Sequence, residues 1–158
     1  MKKKLFIIFT ILFGATTVFS QTDSCEIEQY CMNYFCKYIL IEDISIPGNK
    51  FYFSGVTEKE ETIIDNIAQI RFNIDTVKNG AQKTENVRQT RKVSIAKKHL
   101  LRKRKNNSYT LKIFTSIKIH ERNYVQMEVD NGSKGYYIYF EVENCDKPLR
   151  YTSIPFIR

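Results

Sequence analysis

The sequence predicts a mainly β domain, an antiparallel sheet or sandwich with one or two short helices; an α+β arrangement is the alternative. Three observations carry this. Apolar and polar residues alternate through much of 108–119, 125–129, 135–143 and 150–157, and a period of two marks a half-buried strand. Turn chemistry separates these segments, most clearly at Asp130-Asn131-Gly132-Ser133. Helical spacing is confined to short stretches, and the chain shows no internal repeat.

The elements follow in order. Residues 37–46, KYILIEDISI, are rich in β-branched side chains, and Ile44 and Ile46 alternate with polar neighbours. They predict a strand ended by Pro47-Gly48-Asn49. Residues 51–56, FYFSGV, predict a second strand, so the pair reads as a hairpin. Thr57 to Glu60 fits a capping box that opens a helix over about 58–68, with Ile63, Ile64, Ile67 and Ile70 at helical spacing. Alternation of Ile70, Phe72 and Ile74 predicts a third strand. Residues 76–92 are polar and read as a loop. Residues 93–104 fit a helix or a strand; a hairpin with 108–119 across Lys105-Asn106-Asn107-Ser108 is favoured. Within 108–119 the alternation slips near Phe114-Thr115, as a β-bulge would cause. His120 to Asn123 is a turn, and the strands at 125–129, 135–143 and 150–157 complete an antiparallel run.

The N-terminus has a different character. Residues 1–20 hold Lys2, Lys3 and Lys4, then an uncharged stretch from Leu5 to Phe19, then Val18 and Ser20 at the −3 and −1 positions of a small-residue cleavage site. This is the three-part pattern of a secretory signal. A membrane anchor is the rival, but the apolar stretch is short for a span of about 20 residues, and no other follows. A lipid on Cys25 is a weaker alternative, because Thr22-Asp23-Ser24 makes a poor lipobox. The expected organisation is a signal over 1–20 and one disulfide-bonded domain over 21–158. The expected location is periplasmic, extracellular or envelope-associated, with no transmembrane segment in the processed chain.

Cysteine usage agrees with export. Cys25, Cys31, Cys36 and Cys145 all lie beyond the signal, and an even count in an exported chain predicts two disulfides. Cys25–Cys31 with Cys36–Cys145 is the favoured pairing of three. Closing the loop of about 110 residues between Cys36 and Cys145 would stabilise by about 4–5 kcal/mol in the chain-entropy model. The cysteine spacings lack the close pair that structural zinc favours, and no histidine lies near them. No metal or cofactor is expected.

Charge is polarised. The chain carries 25 basic and 17 acidic residues, and loss of the three signal lysines lowers the net charge from +8 to +5. The segment 83–105 alone carries +9, so the rest of the processed chain sums to −4. Its densest part is KKHLLRKRK, 97–105, where Lys97, Lys98, Arg102, Lys103, Arg104 and Lys105 form a candidate anion-binding group. A focused patch attracts phosphates, sulfates and carboxylates with a strength that falls in salt. Outside the cytoplasm the candidate partners are acidic polysaccharide, anionic lipid, extracellular nucleic acid or an acidic protein. The plainer reading is a solvated face, or an edge strand guarded by lysine.

Catalytic residues are sparse. His99 and His120 are the only histidines, and a pair of histidines beside lysine could cleave RNA by acid–base chemistry if the fold brought them together. No HExxH, GxSxG or phosphate-cradling glycine loop is present. Glu141 and Glu143 share a strand face and read as solvent-facing acids. Tyr136, Ile138, Phe140 and Val142 form one face of 135–143, leaving Tyr137 and Tyr139 on the other. Those two rings form a candidate aromatic face for sugars or a partner protein, unless the sheet is covered on both sides. The expectation is an exported, non-catalytic binding module. The alternatives are a secreted inhibitor or protein-interaction domain, and a secreted nuclease-like hydrolase.

Overall fold

The computed structural model describes residues 26–42, 44, 46–60, 62–74, 90–145 and 150–158. They form a mainly β structure: one six-stranded mixed sheet and a single long helical run. The strands are β1 (Tyr52–Phe53), β2 (Thr110–Ile113), β3 (Ile117–Ile119), β4 (Arg122–Asp130), β5 (Lys134–Val142) and β6 (Arg150–Ile157). Their order is β1-β2-β4-β5-β6, with β3 also paired to β4. All pairings are antiparallel except β1 with β2.

The C-terminal strands follow the alternation of their residues. Leu111 and Ile113 on β2, Val125, Met127 and Val129 on β4, and Ile138, Phe140 and Val142 on β5 share the main core. The β4–β5 turn uses Gly132 at φ +93°, a conformation open to glycine at no steric cost. Asn131 Oδ1 accepts the Ser133 and Lys134 amides. The slip at 114–116 is a bulge. Ile113 pairs with Met127 and Ile117 with Tyr124, so three residues of one strand oppose two of the other. The extra residue turns Ile117 and Ile119 to the opposite face, where they join a second apolar cluster with Ala68, Phe72, Tyr124 and Tyr139.

The first half departs from expectation. Residues 37–42, expected to begin a strand, are helical. Helix α1 (Ile27–Tyr34) passes through a π-helical turn at Phe35–Ile39 into α2 (Leu40–Glu42). Cys31, Met32, Phe35, Ile39 and Leu40 are all buried against the sheet. The wide π turn explains how residues four and five beyond Phe35 both face inward. Packing of that stripe overrides the β preference of the isoleucines. Ile44 and Ile46 are buried as their alternation implied, though outside any strand. The hairpin of 37–46 with 51–56 is therefore absent, and β1 pairs with β2 instead.

The expected helix over 58–68 is displaced. Helix α3 spans Asn66–Phe72, capped by Asp65, whose Oδ1 accepts the Ala68 amide at 2.7 Å. Thr57 caps nothing; it is buried, and its hydroxyl accepts the Arg91 amide at 3.0 Å. The strand expected at 70–74 is the end of α3 and its left-handed cap, Asn73 at φ 57°. Ala68 and Phe72 face the sheet, while Ile63, Ile67 and Ile70 are 71%, 48% and 80% exposed. Of the isoleucine stripe, Ile64 packs on the second apolar cluster just ahead of α3, while Ile67 and Ile70 on the helix turn outward.

Residues 93–104 do not pair with 108–119. They run beside β1, with an isolated parallel bridge from Leu100 to Phe51 and a short 3-10 turn at Lys97–His99. The turn at 105–108 does form, with the Ser108 amide donating to the Lys105 carbonyl at 3.0 Å. Most of the 76–92 loop lies outside the described residues. Both expected cysteine pairings are overturned: Cys31 and Cys36 are free thiols. Cys31 is fully buried as a thiol in the face of α1 that packs on the sheet. No two described cysteines are bonded to each other, and Cys25 lies outside the described residues.

Candidate functional site

Charged side chains sort into two populations. The first is a set of clamps on buried carboxylates. Glu28 projects from α1 into the core at 1% exposure. Arg91 donates to both its oxygens, at 2.9 and 3.1 Å, and the Ser116 amide donates to Oε1 at 3.0 Å. Ser116 lies in the bulge, so Glu28 satisfies a backbone group that the break in pairing would otherwise leave bare. Burial alone would raise its pKa, but the Ser116 hydrogen bonds and Arg91 outweigh it and hold the carboxyl below its ordinary value. The bulge is completed by Thr62, whose amide and hydroxyl both donate to the Thr115 carbonyl at 2.9 Å.

The same device recurs on the α3 side of the sheet. Glu141 on β5 is 4% exposed and is held by Arg122 on β4 and Arg150 on β6. Glu128 on β4 binds Arg158 at 2.6 Å and Lys112 at 3.5 Å. The solvent-facing role expected of Glu141 is therefore corrected: its carboxylate lies under two arginines. Glu143 is exposed. Arg122 and Arg150 line a cleft of about 510 Å³ with Phe72, Tyr124, His120 and Glu121. Burial, then the Glu141 charge, raises the Tyr124 pKa. The arginines here are already matched by acids.

The expected aromatic face is not open. Tyr139 is 3% exposed, and its hydroxyl donates to Asp65 Oδ2 at 3.3 Å. Burial followed by the Asp65 charge pushes its pKa up. Tyr137 is half-buried and stacks on Phe156 with ring centroids 4.4 Å apart. The sheet is covered on both sides here, by α3 on this face and α1 on the other.

The histidines do not meet in one cleft. His99 is buried, with Nδ1 3.0 Å from the Asn49 carbonyl and its ring stacked on Phe51. His120 is exposed in the β3–β4 turn at φ 53° and lines the cleft beside Arg122. Residues 99 and 120 do not lie on neighbouring strands, the condition under which the two rings could have approached.

The second population is the basic run. Lys97, Lys98, Arg102, Lys103, Arg104 and Lys105 are all exposed. None makes an ion pair with a described residue. The backbone explains the display. Phe51 donates to the His99 carbonyl and accepts from the Leu101 amide, at 3.1 and 2.9 Å. His99 is thereby pinned inward while the residues before and after it stand out. What the sequence reading missed is Glu28, although an acid set among Ile27, Cys31, Met32 and Phe35 at helical spacing was a visible signal of a buried charge. No family of proteins matches this chain, and neither a curated protein nor a solved structure matches it.

Among the described residues no three His, Cys, Asp or Glu side chains converge on a position for a metal ion. Among the same residues no helix is long and apolar enough to cross a membrane.

Proposed function

We propose that this protein is an exported, non-catalytic binding module that takes an anionic partner through the basic run at 97–105. One observation carries the reading. Six cations stand exposed and without acids within nine residues, whereas the arginines at 91, 122, 150 and 158 are each bound to a buried carboxylate. Uncompensated like charges on a firm backbone raise the local concentration of any polyanion. Acidic polysaccharide, anionic lipid and acidic protein remain the partner classes.

Export rests on the N-terminal pattern. To it we add a Cys25–Cys145 bridge, the pairing that remains once Cys31 and Cys36 are free. Peptide mapping without reduction tests the bridge; Cys145 found as a free thiol in the exported protein would overturn it.

The binding test is retention on heparin across a salt series. Changing Arg102, Lys103, Arg104 and Lys105 to Ser should lower both affinity and its salt slope. Changing Lys59, Arg71, Lys118 and Lys134, which are also exposed, should do far less. Equal losses from both sets would overturn a localised site.

A further inference from the structure

Beside the basic run, the long helical run and residues 94–99 line an open slot of about 250 Å³. Met32, Cys36, Ile95 and Ala96 supply apolar lining, and Lys37 and Lys98 line it too. Lys98 is close enough to act electrostatically on the Cys36 thiol. The Lys37 ammonium lies 4.9 Å from the centre of the Tyr38 ring. Neither lysine has an acidic partner among the described residues.

The slot itself brings no negative charge. Burial pushes the Cys36 thiol up to about 11 despite the nearby Lys98, so at neutral pH it is protonated. His99, which also lines the slot, keeps Nδ1 against the Asn49 carbonyl. An apolar slot lined by two cations that have no carboxylate partner among the described residues has a definite complement. A sulfated polymer would match the lysines and leave the walls wet. A neutral alcohol would cover the walls and leave the charges unmatched. A chain with an anionic head does both. The volume is below the roughly 300–1,000 Å³ of pockets that enclose a drug-sized ligand, which suits a single short tail.

We propose that this slot binds a free single-chain carboxylate amphiphile, with its tail against Met32, Cys36, Ile95 and Ala96 and its head between Lys37 and Lys98. The inference rests on the reading that this face takes anions, and it deepens that reading by naming the ligand class.

The test is an NMR titration of the exported protein with decanoate. Saturable amide shifts are expected at Asn33, Cys36 and 94–99. Changing Lys37 and Lys98 together to Ser should weaken decanoate about ten-fold and leave decanol unchanged. Ala96→Phe should abolish the decanoate shifts and leave heparin retention as it was. Should that variant fail to fold, Cys36→Phe fills the slot from its other wall and should do the same. Decanoate shifts that survive a filled slot would overturn the proposal. So would absence of decanoate shifts with heparin retention intact. Vesicles of anionic phospholipid that bind equally with the slot filled, without a decanoate response, would assign the lysines to a membrane surface instead. Loss of both heparin and decanoate binding in the unaltered protein would overturn the underlying anion reading.

Discussion

Arg91, Arg122, Arg150 and Arg158 carry the same charge as the run from Lys97 to Lys105, yet the fold uses them differently. Each of the four arginines is about half exposed and reaches back to a carboxylate with 1–7% of its side chain exposed. Cation and acid arrive from different elements: Arg91 and α1, the neighbouring strands that bring Arg122 and Arg150 to Glu141, and the end of β6 that reaches across β5 to Glu128 on β4. These pairs hold parts of the molecule together. The run at 97–105 arrives with no acid of its own and meets none among the described residues. A count of basic residues mixes the two populations, and only the second is available to a partner. The distinction also predicts a difference in salt. Partly buried pairs are screened much less than exposed charges, so salt should release a partner from the run long before it loosens the clamps.

The comparison can be broken most severely at Glu28. Glu28→Ala removes the acceptor of the Ser116 amide and of Arg91 together, and should lower unfolding free energy by about 2–3 kcal/mol in a denaturant titration. A loss near zero would mean that the bulge needs no support from α1. Glu141→Ala should cost less, about 1 kcal/mol, because Arg122 and Arg150 can turn to water. Chemical denaturation with a double-mutant cycle against Arg150→Ala should recover a coupling energy; strict additivity would show that the pair contributes nothing.

Acid sharpens the contrast. The Glu28 carboxyl is held below its ordinary value of 4.5, so its contribution is present above that value and is lost as pH falls through the folded pKa. The unaltered protein should lose stability below about pH 4.5 more steeply than Glu28→Gln. Parallel curves would dismiss the linkage. The smallest effect on stability is expected from the four serines at 102–105, within about 0.5 kcal/mol of the parent, even as heparin retention falls. A large destabilisation there would place those residues with the clamps.

How much of this was legible varies along the chain. From Tyr109 to Ile157 the two-residue period, the turn at Asp130-Asn131-Gly132-Ser133 and the slip at Phe114-Thr115 led to β2 through β6 and the bulge. There each side chain's face is set by its immediate strand. From Ile27 to Phe72 the same reasoning mistook elements, because the deciding forces come from afar. Phe35, Ile39 and Leu40 are drawn into helix by burial under a sheet made a hundred residues later, and the π turn has no local signature. Thr57 resembled a cap but serves Arg91, thirty-four residues away. The basic run was visible as charge; that its members stay unmatched, while Arg91 next to it does not, required the position of Glu28. Tyr137 and Tyr139 were placed on the right face, but nothing local revealed that α3 covers it.

Among the described residues strand β6 lies at an edge of the sheet, and its register carries a further consequence. Arg158 donates to the Ser133 carbonyl, and the ladder continues with Lys134 opposite Ile157. Even-numbered residues of β6 therefore turn their amides toward β5, and odd-numbered residues turn theirs outward. Pro155 falls on the outward set and brings no N–H. Any strand approaching this side would meet a gap in the row of donors, between Ser153 and Ile157. Proline at an edge is a familiar guard against sideways growth of sheets into fibrils. For a protein with exposed isoleucines at 63, 67, 70 and 157, that gap favours staying dispersed at high concentration, and Pro155→Val is the single change that would remove it.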